Sequence, residues 1–103
     1  MMKHTDREYE QELESLREHV LLMGARVEEL LGGAMKAFEE RDPELASRVA
    51  ASDERVDQLE VEIDEMALRI LARRQPVASD LRFITTTLKL VTDLERVADL
   101  GVN

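Results

Sequence analysis

A chain of 103 residues suffices for one domain with a modest core. Its 23 acidic against 14 basic residues leave a net charge of −9, which disfavours nucleic acid and anionic membrane surfaces as direct partners and favours cations or basic protein patches. The absence of cysteine excludes disulfides and thiolate metal ligands, and an aromatic share of 3% points to long helices rather than sheets. No apolar run approaches the ~20 residues of a membrane span. The polar stretch from Met1 to Glu12 does not read as a secretory signal. The expectation is a soluble, intracellular, all-α protein with no direct membrane insertion.

Apolar residues recur at spacings of three and four through three segments, giving helices over about 5–40, 43–73 and 76–103. The first seam runs Leu13, Leu16, Val20, Met23, Val27, Leu30, Ala34, Ala37. Gly32-Gly33 interrupts its helix former pattern, at about 1 kcal/mol per glycine. Two readings are open there: a weak point, or close approach of a neighbouring backbone. Asp42-Pro43 reads as an N-cap followed by proline at the first helical position.

The second seam runs Leu45, Val49, the polar Ser52, Val56, Leu59, Ile63, Met66, Ile70, and ends near Arg73-Arg74, where the helix dipole favours positive charge. Pro76 is expected to open the third helix. That seam runs Val77, Leu81, Ile84, Leu88, Val91, Glu95, Ala98, Val102. Short connections make neighbours antiparallel, so the architecture expected is an up-down-up three-helix bundle over 1–103. The third helix reads as cut short at Gly101-Val102-Asn103. The expectation is a fragment or half of something longer, with apolar surface left exposed and self-association favoured.

Glu95 breaks the third seam. A carboxylate among core positions loses hydration and needs a partner or a displaced pKa. Asp99 follows at i+4 on the same face, and the second helix carries a matching i,i+4 pair, Asp53 and Asp57, one position beyond its seam. About an antiparallel turn at Pro76, residues whose numbers sum to about 152 lie level. Asp57 then meets Glu95, and Asp53 meets Asp99. Four carboxylates at close quarters repel unless protonated, salt-bridged by Arg55 and Arg96, or bridged by a multivalent cation. The all-oxygen donor set suits Mg, Ca, Mn or iron better than structural zinc. The competing reading is a set of solvated, salt-bridged carboxylates in a chain that is 36% charged. Glu28, Glu29, Glu60 and Asp64 read as such surface charges.

Other chemistry is thin. Neither His4 nor His19 stands three residues after a glutamate, as di-iron bundles require, and His19 reads as a boundary residue. Ser52 and the Thr85-Thr86-Thr87 run read as hydroxyls bonded back to their helix. No phosphate loop or activated nucleophile is present, so no enzyme activity is expected. A carboxylate-cluster metalloenzyme would need an open coordination position.

The stretch from Arg73, with Gln75-Pro76, Asp80-Leu81-Arg82, Asp93-Leu94-Glu95-Arg96, Asp99 and Asn103, resembles the signature of the PhoU family. Asp53-Glu54-Arg55-Val56-Asp57-Gln58-Leu59-Glu60 resembles that family's acidic second-helix segment. The resemblance implies one of two similar three-helix repeats, whose E(D)xxxD motifs hold iron, manganese, magnesium or zinc in multinuclear clusters. It carries the metal ligands over to Asp53, Asp57, Glu95 and Asp99. It further implies repression of the phosphate-starvation response through a phosphate ABC transporter and a sensor histidine kinase. The location implied is cytoplasmic, peripheral at the inner face of the membrane. Covering one repeat, the chain is expected to pair as a homodimer.

Overall fold

A computed structural model describes residues 4–102, with side chains from Asp6 onward, and Asn103 lies outside the described residues. Three helices account for nearly all of it: α1 (His4–Glu40), α2 (Pro43–Arg73) and α3 (Ala78–Val102). Each packs against both others, as in the bundle expected. At 1.5 Å per residue the 37 residues of α1 extend about 55 Å, which sets the 58 Å long axis of the rod.

The core is the three seams brought together. Leu16, Met23, Val56, Leu59, Ile63, Ile70, Ile84 and Val91 are essentially inaccessible to solvent. Their spacing of three, four and seven is what a 3.6-residue period turns to one side. Several positions differ from the seams as read. Ala67 is fully buried where Met66 was expected, and Thr87 is buried beside a half-buried Leu88. In both cases the smaller side chain fits closer to the axis, and the longer one packs at the edge. Val77 and Leu81 at its start and Val102 at its end are exposed, so the third seam takes effect only from Ile84 to Ala98.

The two connections differ. At the end of α1, Arg41 adopts the left-handed conformation with φ of 51°. Asp42 N–H donates to Ala37 carbonyl at 3.0 Å and Arg41 N–H to Phe38 carbonyl at 3.4 Å. This is the paired bonding of a Schellman end, with arginine where glycine is usual. Asp42 then serves as the α2 N-cap, its Oδ1 accepting from the N–H groups of Glu44 and Leu45, both at 3.1 Å.

The second connection is longer. Arg74 is extended, and its N–H donates to Ile70 carbonyl at 2.9 Å. The third helix begins at Ala78 rather than at Pro76. Val77 carbonyl takes the first helical bond, from Leu81 N–H at 2.8 Å, so Pro76 stands one residue ahead of the cap. A proline disfavours helix for the residue before it, which keeps Gln75 out of the coil and lengthens the link.

The two glycines in the first helix part company. A Cβ on Gly32 would meet nothing within 4 Å, whereas one on Gly33 would lie 2.8 Å from Val49 Cγ2. Gly33 is therefore the close-approach point between α1 and α2. Gly101 plays the same part for α3, where a Cβ would come within 2.8 Å of Leu31 Cδ2.

Candidate functional site

The carboxylates of α2 and α3 meet as the antiparallel register demands. Asp53 and Glu95 are half-buried, with Asp57 and Asp99 more exposed beside them. The carboxyl of Glu95 faces that of Asp57 in hydrogen-bonding position, so a proton on one is accepted by the other. Asp53 lies within the field of Asp57 and Asp99. All four site positions named from the sequence thus lie in one patch.

A fifth carboxylate joins them. Glu60, read from the sequence as a surface charge, is half-buried and interacts with Asp57, Asp99 and Asp64. The signal was present in the spacing. Asp53, Asp57, Glu60 and Asp64 stand at i, i+4, i+7 and i+11, one continuous acidic stripe. Only its first two members have level partners on α3, which is why the pairing argument stopped short of Glu60.

Electrostatics in the patch are unfavourable to ionisation. Loss of hydration, the hydrogen bond to Asp57 and the nearby charges of Asp57, Glu60 and Asp99 push Glu95 up from 4.5 to about 8. Burial, then Asp57 and Asp99, raise Asp53 above the usual carboxylate range. Glu60 is raised likewise, by burial first and then by Asp64, Asp57 and Asp99. Basic relief does not come from the expected arginines. Arg55 reaches toward Gln58 at 3.5 Å and Glu62 at 4.0 Å, away from the patch. Among the described residues, no lysine or arginine forms an ion pair with Asp53, Asp57, Glu95 or Asp99.

Two buried oxygens, Asp53 Oδ1 and Glu95 Oε2, have no hydrogen-bond partner. Buried polar atoms are nearly always satisfied, so both oxygens are left with capacity to take a proton, a water or a cation. The donor set, carboxylate oxygen throughout, fits a hard cation. The side chains are not drawn in round a single point. Among the described residues, no three His, Cys, Asp or Glu side chains are gathered tightly enough to hold an ion as they stand.

The remaining polar positions are structural. Ser52 Oγ donates to Val49 carbonyl at 2.6 Å, and Thr85 Oγ1 to Arg82 carbonyl at 3.1 Å, as the mid-helix reading expects. His19 lies on the boundary, its Nδ1 2.8 Å from Ser15 carbonyl and its Nε2 3.9 Å from Glu62. At the other end of the rod Arg74 donates to Glu12 and lies over the ring of Tyr9, whose hydroxyl donates to Asp80 at 2.8 Å. Among the described residues, no helix is long and apolar enough to cross a membrane.

A three-helix rod with an acidic patch across its second and third helices defines a class: helical modules whose distinguishing chemistry is carboxylate clustering. Within that class, a family model described as the PhoU domain matches residues 20–103, and the chain belongs to the PhoU family. It is 45% identical over 99 residues to the phosphate-specific transport system accessory protein PhoU of Serratia marcescens, covering 96% of this chain and 41% of the relative. The Escherichia coli protein of the same name is 44% identical with the same coverage. A PhoU homolog from Pseudomonas putida is 48% identical over 93% of this chain and 38% of its own length. The chain thus spans about two fifths of the curated relatives it matches. No solved structure matches it.

Proposed function

We propose that this chain is the first repeat of a phosphate uptake regulator, acting by contact with a phosphate transporter and a sensor histidine kinase to repress the phosphate-starvation response. Family membership and the names of its relatives, accessory proteins of phosphate-specific transport, support the transport setting. Contact rather than catalysis is the mode, in the cytoplasm at the inner face of the membrane. The single observation that carries the site is the level carboxylate patch, with two unpartnered buried oxygens and no basic relief among the described residues.

In this reading Asp53, Asp57, Glu95 and Asp99 would hold iron, manganese, magnesium or zinc, as one ion or more. Such a metal supplies positive charge that removes the repulsion between α2 and α3. The chain's own part is to keep both helices in register and to exclude basic side chains from the patch. Metal ions compete with protons for the same oxygens, so binding strengthens as pH rises toward the Glu95 value of about 8 and levels off above it. Exposed Phe38 (85%), Leu100 (76%) and Leu68 (64%) support pairing with a second copy or a second repeat.

The test compares wild type with a variant in which Asp53, Asp57, Glu95 and Asp99 are all replaced by alanine. Wild type is expected to retain stoichiometric metal and to gain thermal stability on adding Mn or Fe. Equal metal content and equal stability in both proteins rejects the metal site. An adaptor bundle without metal would show neither effect, and its deletion would leave phosphate-responsive expression unchanged.

A further inference from the structure

The carboxylate patch flanks α3, but α2 has a different character on the side turned toward α1. A groove of about 490 Å3 runs there between the two helices. Its walls follow two matched stripes at i, i+4 and i+7: Arg26, Leu30, Gly33 on α1 and Arg48, Ser52, Arg55 on α2. The antiparallel turn at Asp42 places Arg26 level with Arg55 and Gly33 level with Val49. Gly33 lets the helices approach at one end, where a Cβ would strike Val49. Leu30, Leu45 and Val49 line the floor with apolar surface.

The charge of this groove runs against that of the chain. Three guanidiniums face it with one carboxylate, Glu29, in a protein of net charge −9. Arg26 is paired with Glu29 at 3.1 Å, and Arg55 only grazes Glu62 at 4.0 Å. Arg48 forms no ion pair among the described residues. A lone inorganic anion would find few fixed donors. The helical N–H groups are spent within the helices, and Ser52 Oγ already donates to Val49 carbonyl. An apolar floor with an arginine rim suits instead a chain that brings carboxylates and aliphatic side chains together.

We propose that the groove between α1 and α2 receives an acidic amphipathic helical segment of a partner protein. Its carboxylates pair with Arg26, Arg48 and Arg55, and its apolar side chains seat on Leu30, Leu45 and Val49. The stripes cover about 11 Å of helix, enough for two turns of such a segment. This inference rests on the reading that the chain acts by protein contact, and it assigns the surface and the partner's chemistry.

The probe is a synthetic acidic amphipathic peptide, with Leu at i, i+3, i+4, i+7 and Glu between, compared with a version carrying Gln for Glu. Binding is followed by fluorescence anisotropy and by amide chemical shifts. The acidic peptide is expected to bind, to weaken with salt, and to shift residues of the groove. R48E combined with R55E should weaken it by about tenfold or more, and K89E on exposed α3 should leave it unchanged. E29Q, which frees Arg26, should tighten it. Equal binding of the Gln peptide, shifts mapping elsewhere, or no loss in the R48E/R55E variant with its helicity intact overturns the proposal. So does displacement of the peptide by inorganic phosphate alone at millimolar concentration. In cells, the double variant should relieve repression of a phosphate-starvation reporter. Weak peptide binding with repression intact overturns the groove and leaves the regulatory function standing. Failure of wild type to repress rejects that function, and the peptide titration still decides the groove.

Discussion

Glu95 is where a single side chain sets the behaviour of the molecule. In the unfolded chain it ionises near 4.5, whereas in the folded, metal-free protein it holds its proton to about 8. The folded state therefore binds the extra proton between those values. Its contribution to stability is fully present below 4.5 and is lost as pH rises through 8. Metal-free protein should unfold at progressively lower denaturant concentration across that window, and E95Q should flatten the dependence. At alkaline pH the amide removes the cost of an unsatisfied buried charge, on the order of 1–3 kcal/mol, so the variant should be the more stable there.

Tyr9 offers a second titration, undisturbed by any other tyrosine because the chain has only one. Burial, and then its hydrogen bond and proximity to Asp80, push the phenol up to about 12. Near-ultraviolet absorbance should place its ionisation well above the usual 10, and D80N should bring it down.

At the scale of the helix, neighbouring glycines should respond to the same change with opposite signs. G32A adds a methyl that meets nothing, so it should stabilise by about 1 kcal/mol through helix propensity. G33A gains the same propensity but drives a Cβ against Val49, a stiff branched side chain, and overpacking of about 1–3 kcal/mol outweighs it. The helix end at Arg41 gives a third case. A left-handed arginine costs about 1–2 kcal/mol and glycine adds roughly 0.5–1 kcal/mol of unfolded-state entropy, so R41G should stabilise by about 0.5 kcal/mol. Chemical denaturation of the three variants measures all of these effects.

These elements also mark what the sequence made legible. Helix count, the Asp42 cap and the pairing of Asp57 with Glu95 follow from periodicity and chain reversal, which are local rules plus one turn. The start of α3 did not follow, because proline is tolerated both at the first helical position and ahead of it, and the choice lies with the carbonyl of Val77. Nor did the split between Gly32 and Gly33, which depends on the azimuth of a neighbouring helix. Glu60 was missed because burial, unlike spacing, requires knowing where α3 lies. The burial of Thr87 was out of reach for the same reason.

For the whole molecule, the distribution of charge matters more than its total. Acidic side chains collect across α2 and α3, and arginines collect in the groove on the other flank of α2. Addition of salt screens repulsion among exposed carboxylates over about 10 Å at 0.1 M, so metal-free protein should gain stability with ionic strength. The quadruple alanine variant at the site should show less of that gain. Truncation in the core acts independently of either patch: I63A removes a fully buried side chain and should cost about 2–5 kcal/mol by the same denaturation measurement, with metal affinity per folded molecule unchanged.

Asp42 closes one helix and opens the next, so the α1–α2 corner has almost no slack, whereas four residues separate α2 from α3. In kinetic terms the first corner is a ready nucleus. Its closure costs little chain entropy, and α1 and α2 are expected to zip into a hairpin before the third helix docks. The late step is then the one that brings Glu95 and Asp99 onto Asp53 and Asp57 against their mutual repulsion. An ion that bridges them should hold α3 down rather than speed its arrival, slowing unfolding while leaving the folding rate nearly unchanged.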